Sequence, residues 1–119
     1  MIIMTFDEVR AAFNAQGVHP ADYAWVCPVC KTVQSARDFA AAGVSADEAN
    51  SQVGFSCIGR WRLGWVGWER AFGQGCDWTL GGQLQIHELE IVDEDGRKHP
   101  YFAIATPDQA QEHAARHAP

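Results

Sequence analysis

Four cysteines in a chain of 119 residues, two of them in Cys27-Pro28-Val29-Cys30, constrain the fold more than any other feature. Two thiolates separated by two residues on a tight turn can face one ion, while nearby backbone N–H groups stabilise the sulfur charge. A tetrahedral site needs two further ligands, and Cys57 and Cys76 supply them by count. Eighteen residues separate this second pair, against the two to four of an ordinary second knuckle. The pattern is therefore a knuckle plus two isolated ligands, predicted to hold one Zn2+ through Cys27, Cys30, Cys57 and Cys76. A site closed by four sulfurs leaves no position for a reacting water, so its role is structural.

Other uses of the thiols compete with this one. A redox Cys-x-x-Cys belongs at a helix N-terminus, whereas Lys31-Thr32-Val33-Gln34 is β-prone and follows as a return strand. Structural disulfides need an oxidising compartment. The N-terminus Met1-Ile2-Ile3-Met4-Thr5-Phe6-Asp7 lacks the basic start of a secretory signal, so a cytoplasmic location is expected. Buried free thiols are a third use. A histidine can replace one sulfur, and His19 and His87 are the nearest candidates.

The length suits one domain with a modest core. The chain is 47% hydrophobic, which excludes wholesale disorder, and it has no apolar run long enough to cross a membrane as a helix. Nine Lys and Arg against fifteen Asp and Glu give a net charge of −6, which argues against non-specific nucleic-acid binding. The charge is uneven. Residues 83–119 hold seven acidic against three basic side chains, a net of −4, whereas residues 57–82 sum to +1.

Three capping signatures place helices. Thr5 with Glu8 opens a helix over 5–16, with Phe6, Val9 and Phe13 on one face and Gly17 ending it. Ser35 with Asp38 opens 36–42, ended by Gly43, and Ser45 with Glu48 opens one to two turns more. Val53–Ile58 is apolar and predicted as a strand. A short helix is allowed near 66–72. Leu84 and Ile86, then Leu89 and Ile91, alternate in opposite phase, which suggests a β-bulge at His87-Glu88. Asp95-Gly96 is a turn dipeptide, with Tyr101–Ala105 as the partner strand of a C-terminal antiparallel hairpin. The expected architecture is a small α+β domain over residues 1–107, built on a zinc-ribbon-like knuckle with short helices, and a frayed helical tail at 108–119.

Two surfaces are binding candidates. Arg60, Trp61, Arg62, Trp65, Trp68 and Arg70 interleave cations with aromatic rings, as in nucleic-acid stacking platforms and in protein–protein hot spots. The same tryptophans serve equally as core over the metal site. Glu88, Glu90, Asp93, Glu94 and Asp95 form an acidic hairpin, which is otherwise an ordinary solvated tip. No phosphate-binding glycine loop or nucleophile elbow is present, and no catalytic constellation emerges.

The order Trp25-Val-Cys-Pro-Val-Cys30, Arg37-Asp38-Phe39 with Ala42-Gly43, Phe55-Ser-Cys-Ile-Gly-Arg-Trp61 and Gly75-Cys76-Asp77-Trp78 with Gly81-Gly82 resembles a family of small uncharacterised phage and prophage proteins. The resemblance spans about residues 20–105. It implies a non-enzymatic accessory protein that binds a host or phage protein, of which an anti-CRISPR-like inhibitor using its acidic hairpin to mimic DNA is a sharper version. A zinc-ribbon protein binding nucleic acid through the Trp/Arg segment is the alternative.

Overall fold

The computed structural model describes residues 2–61, 76, 78–81 and 87–117. Strand β1 (Ile2–Thr5) leads directly into helix α1 (Phe6–Ala15). Thr5 caps it as the sequence predicts: its hydroxyl accepts from the Glu8 N–H at 3.3 Å, and the Glu8 carboxylate accepts from the Thr5 N–H at 3.1 Å. The chain turns through Gly17 at φ +70°, a conformation that glycine adopts without penalty. A single 3₁₀ turn at Pro20–Asp22 follows. Strands β2 (Ala24–Val26) and β3 (Val33–Ser35) then flank the Cys27–Cys30 knuckle. Helices α2 (Ala36–Ala41) and α3 (Ala46–Gln52) start at the predicted caps, Ser35 and Ser45.

The C-terminal part contributes β4 (Leu89–Val92), β5 (Lys98–Tyr101), β6 (Ala103–Ile104) and helix α4 (Pro107–His117). The strands make two three-stranded sheets, β1-β4-β5 and β3-β2-β6. In the first, β1 lies parallel to β4 with Ile2 opposite Leu89, and β4 pairs antiparallel with β5 as a hairpin. Pro100 sits in β5, an edge strand, where its missing N–H costs no ladder bond. At Phe102 the chain crosses between sheets. This residue is fully buried and its N–H donates to the Gly54 carbonyl at 2.8 Å. The α+β class and the hairpin are thus as expected from sequence.

The core follows from the same pattern. Leu89 and Ile91 point inward from β4, and Phe39, Ile58, Leu80 and Phe102 are fully buried. Trp25 stacks on Tyr101 with ring centroids 5.5 Å apart and meets Phe13 edge-on at 4.9 Å. A smaller cluster of Ala24, Ala105 and Ala110 lets α4 approach β2 closely.

Several expectations are corrected. Val53–Ile58 is not a strand. α3 runs to Gln52, Ser56 makes one isolated bridge to Thr79, and Ile58–Trp61 is a 3₁₀ turn. The predicted strand Tyr101–Ala105 is divided between two sheets, and the hairpin partner of β4 begins at Lys98. The C-terminal helix that the sequence allows is present as α4, with Ala110 and His113 buried. The helix near 66–72, the strand at Leu84 and Ile86 and the upstream side of the suggested bulge lie outside the described residues.

Candidate metal centre

The knuckle is closed by its own backbone. The Cys27 N–H donates to the Thr32 carbonyl at 3.0 Å, and the Lys31 N–H donates to the Cys27 carbonyl at 2.9 Å. Lys31 takes φ +60°, the left-handed conformation that reverses the chain immediately after Cys30. Cys57 is held from a different direction. Its N–H donates to the Trp78 carbonyl at 2.8 Å, and the Leu80 N–H donates to the Phe55 carbonyl at 2.9 Å, so residues 55–57 and 78–80 are laced together. The Ser56 and Thr79 hydroxyls meet at 2.7 Å in the same bridge. This lacing brings Cys76 to Cys57 despite the eighteen residues between them.

Four sulfurs from three chain segments converge. All lie within 4.8 Å of one another. The Cys27–Cys76 separation is 3.8 Å and the Cys30–Cys57 separation is 3.7 Å. A tetrahedral ion with metal–sulfur bonds of about 2.3 Å sets its sulfurs about 3.8 Å apart, so these distances fit a single ion. All four cysteines are free thiols; Cys27, Cys30 and Cys57 are buried and Cys76 is half-buried. Backbone donors already point at sulfur, from the Cys76 N–H to Cys57 Sγ at 3.1 Å and from the Trp78 N–H to Cys76 Sγ at 3.4 Å. The Thr32 hydroxyl lies 2.9 Å from Cys30 Sγ.

Crowding splits the thiol acidities. Contact with Cys30 pushes Cys27 up, and the same contact pulls Cys30 down. Contact with Cys27 is the chief cause that lowers Cys57 to about 7. Protein alone therefore stabilises only part of the set as thiolate. A cation at the centre would allow all four to ionise. The four cysteines offer a tetrathiolate donor set, which suits zinc or iron.

The histidine substitutes take no part in this cluster. His19 caps the 3₁₀ turn, its Nδ1 accepting from the Ala21 N–H at 3.1 Å. His87 pairs with Glu90 at 3.1 Å. Among the acids, Glu88 meets Lys31 at 3.4 Å and Asp93 meets His99 at 2.9 Å, while Glu94 and Asp95 lie exposed at the hairpin turn. Contact with His99 holds the Asp93 carboxyl below its ordinary range. Trp61 packs on Phe39 with ring centroids 5.0 Å apart, which gives it a core role, and Arg60 is exposed. Arg62, Trp65, Trp68 and Arg70 lie outside the described residues.

One cluster escapes the sequence reading. Asp38 of α2 faces His113 and His117 of α4 at 2.6 and 2.8 Å. Its only local signal is the His-x-x-x-His spacing in a segment expected to fray.

A family model described as VVA0879-like matches residues 5–105, so the chain belongs to the VVA0879-like family. The match takes in all four cysteines and ends before α4. Neither a curated protein nor a solved structure matches the chain.

Proposed function

We propose that this VVA0879-like protein is a non-enzymatic binding module whose fold is stapled by one structural Zn2+ at Cys27, Cys30, Cys57 and Cys76. The observation that carries this reading is the closed set of four sulfurs at tetrahedral spacing, contributed by three separate segments. Four protein sulfurs fill the coordination of zinc, which leaves no position for a substrate. The protein then acts through its surface. The resemblance of its motif order to small phage and prophage proteins supports an accessory role exerted by binding another protein. The exposed Glu94 and Asp95 at the tip of an acidic hairpin support a narrower version, in which carboxylates stand where DNA would present phosphates.

Elemental analysis of the purified chain tests the staple, with about one zinc per chain expected. A folded, metal-free protein would overturn it. Capture from a bacterial lysate followed by mass spectrometry tests the surface. The expected partner is a DNA-binding protein that duplex DNA displaces, and the Glu94→Gln/Asp95→Asn pair should lose it. Capture unchanged by these substitutions sinks the mimicry.

A further inference from the structure

We propose that Asp38, His113 and His117 form a second metal site, distinct from the thiolate centre, for an exchangeable divalent cation of the zinc type. Three features of the cluster carry it. The two histidines sit at i and i+4 on α4, so their rings leave the same face of the helix. Their Nε2 atoms reach different oxygens of one carboxylate, His113 to Oδ2 at 2.6 Å and His117 to Oδ1 at 2.8 Å. The rings lie edge to face with centroids 5.1 Å apart, and the three ligand atoms fall within 4.8 Å of one another.

The carboxylate is also oriented in advance. Asp38 is the third residue of the α2 capping box, and its Oδ2 accepts from the Ser35 N–H at 2.8 Å. A second bond that aims a metal-ligating carboxylate is a recurrent part of metal sites. The Asp38 and His113 side chains are 4% and 10% exposed, against 24% for His117. An ion therefore enters from the His117 side, where water completes its coordination.

Donor chemistry selects the ion. Two imidazoles and one carboxylate suit zinc and its first-row neighbours, whereas calcium and magnesium prefer oxygen alone. Binding parts the rings from the carboxylate by roughly half an ångström, which places each donor about 2.0–2.1 Å from the ion. In a neutral ring the proton moves from Nε2 to Nδ1, so no redox or covalent step is involved. The ion would clasp α4 to α2. The site's carboxylate lies within the residues matched by the family and its two histidines beyond them.

The test uses the full chain already holding its thiolate-bound zinc, confirmed by elemental analysis, and titrates it with Co2+. Made after dialysis has removed exchangeable metal, that first measurement reports on the cysteine site alone, so failure of one site is not mistaken for failure of the other. The expected result is about one further equivalent of Co2+, with the weak visible bands of nitrogen and oxygen ligation and no sulfur-to-cobalt charge transfer. His117→Ala should weaken this binding at least about tenfold with helix content retained. His99→Ala, which removes an exposed histidine paired to Asp93, should leave it unchanged. Absence of the further equivalent, or equal affinity in His117→Ala, overturns the proposal.

Discussion

Gln34 shows how one uncharged side chain positions Cys57 of the candidate metal centre. It is fully buried in β3. Its Nε2 donates to the Val53 and Ser56 carbonyls at 2.7 and 2.9 Å, and its Oε1 accepts from the Ile58 N–H at 2.8 Å. These are the backbone groups on either side of Cys57, in a segment with no strand ladder of its own. Truncation leaves three polar groups without this partner, two in buried contacts and one in a partly buried contact, at about 1–3 kcal/mol for each buried group left unsatisfied. Gln34→Ala is expected to lower the unfolding free energy of the zinc-loaded protein by about 3 kcal/mol and to speed zinc loss to a chelator. Urea unfolding measures the first and a chromogenic chelator the second; a change within about 0.5 kcal/mol would contradict the role. Gly54 makes a steric case at the same scale. A Cβ there would sit 3.0 Å from three atoms of the Trp25 ring, which Phe13 and Tyr101 hold in place. Gly54→Ala is expected to cost about 1–3 kcal/mol in the same assay.

Among the elements, the local ones were legible in the sequence. The starts of α1, α2 and α3 follow from hydroxyl and carboxylate residues three apart, a contact that needs no distant partner. The knuckle is equally local. By contrast, β1 exists because Ile2–Thr5 finds β4 some 87 residues away, and nothing in a four-residue apolar run announces a parallel register. Val53–Ile58 has the composition of a strand, yet its carbonyls are taken by Gln34 and its neighbours by residues 78–80. The docking of α4 was hidden for the same reason, since Asp38 lies 75 residues from His113. That docking has a pH dependence with a definite sign. Burial works to raise the Asp38 carboxyl, but its contacts with His113, Ser35 and His117 outweigh burial and hold it below the ordinary 3.8. As pH falls the unfolded chain takes up this proton first. The contribution is therefore complete above about pH 4 and is lost as pH drops through the lower folded value. Thermal melts should show the midpoint falling on acidification in this range, with a shallower fall in Asp38→Asn, which starts from a lower midpoint at neutral pH. Parallel pH profiles for the two proteins would contradict it.

For the molecule as a whole, the question is whether the two sheets hold together without the metal. They share Phe102, and Gln16 bridges α1 to β2 and to Ala105 through bonds of 2.9–3.0 Å. These contacts lie on the N- and C-terminal side. On the other side, the knuckle, the Cys57 segment, Cys76 and residues 78–80 meet around the four sulfurs. Structural zinc contributes about 10–16 kcal/mol to small metal-dependent domains, comparable to the whole stability of about 5–15 kcal/mol of an ordinary domain. If the proposed zinc is the staple, its loss is of the size of the whole stability, and without it the buried sulfurs would share protons at close quarters. Chelation under reducing conditions is therefore expected to unfold the chain cooperatively. Small-angle scattering should see the radius of gyration rise from near the 13.7 Å of the folded Cα trace toward about 35 Å. Cys57→Ser is expected to reproduce this state without chelator. A chelated protein that stays near its folded radius would show that the two sheets suffice and that the metal centre only orders the segments it touches.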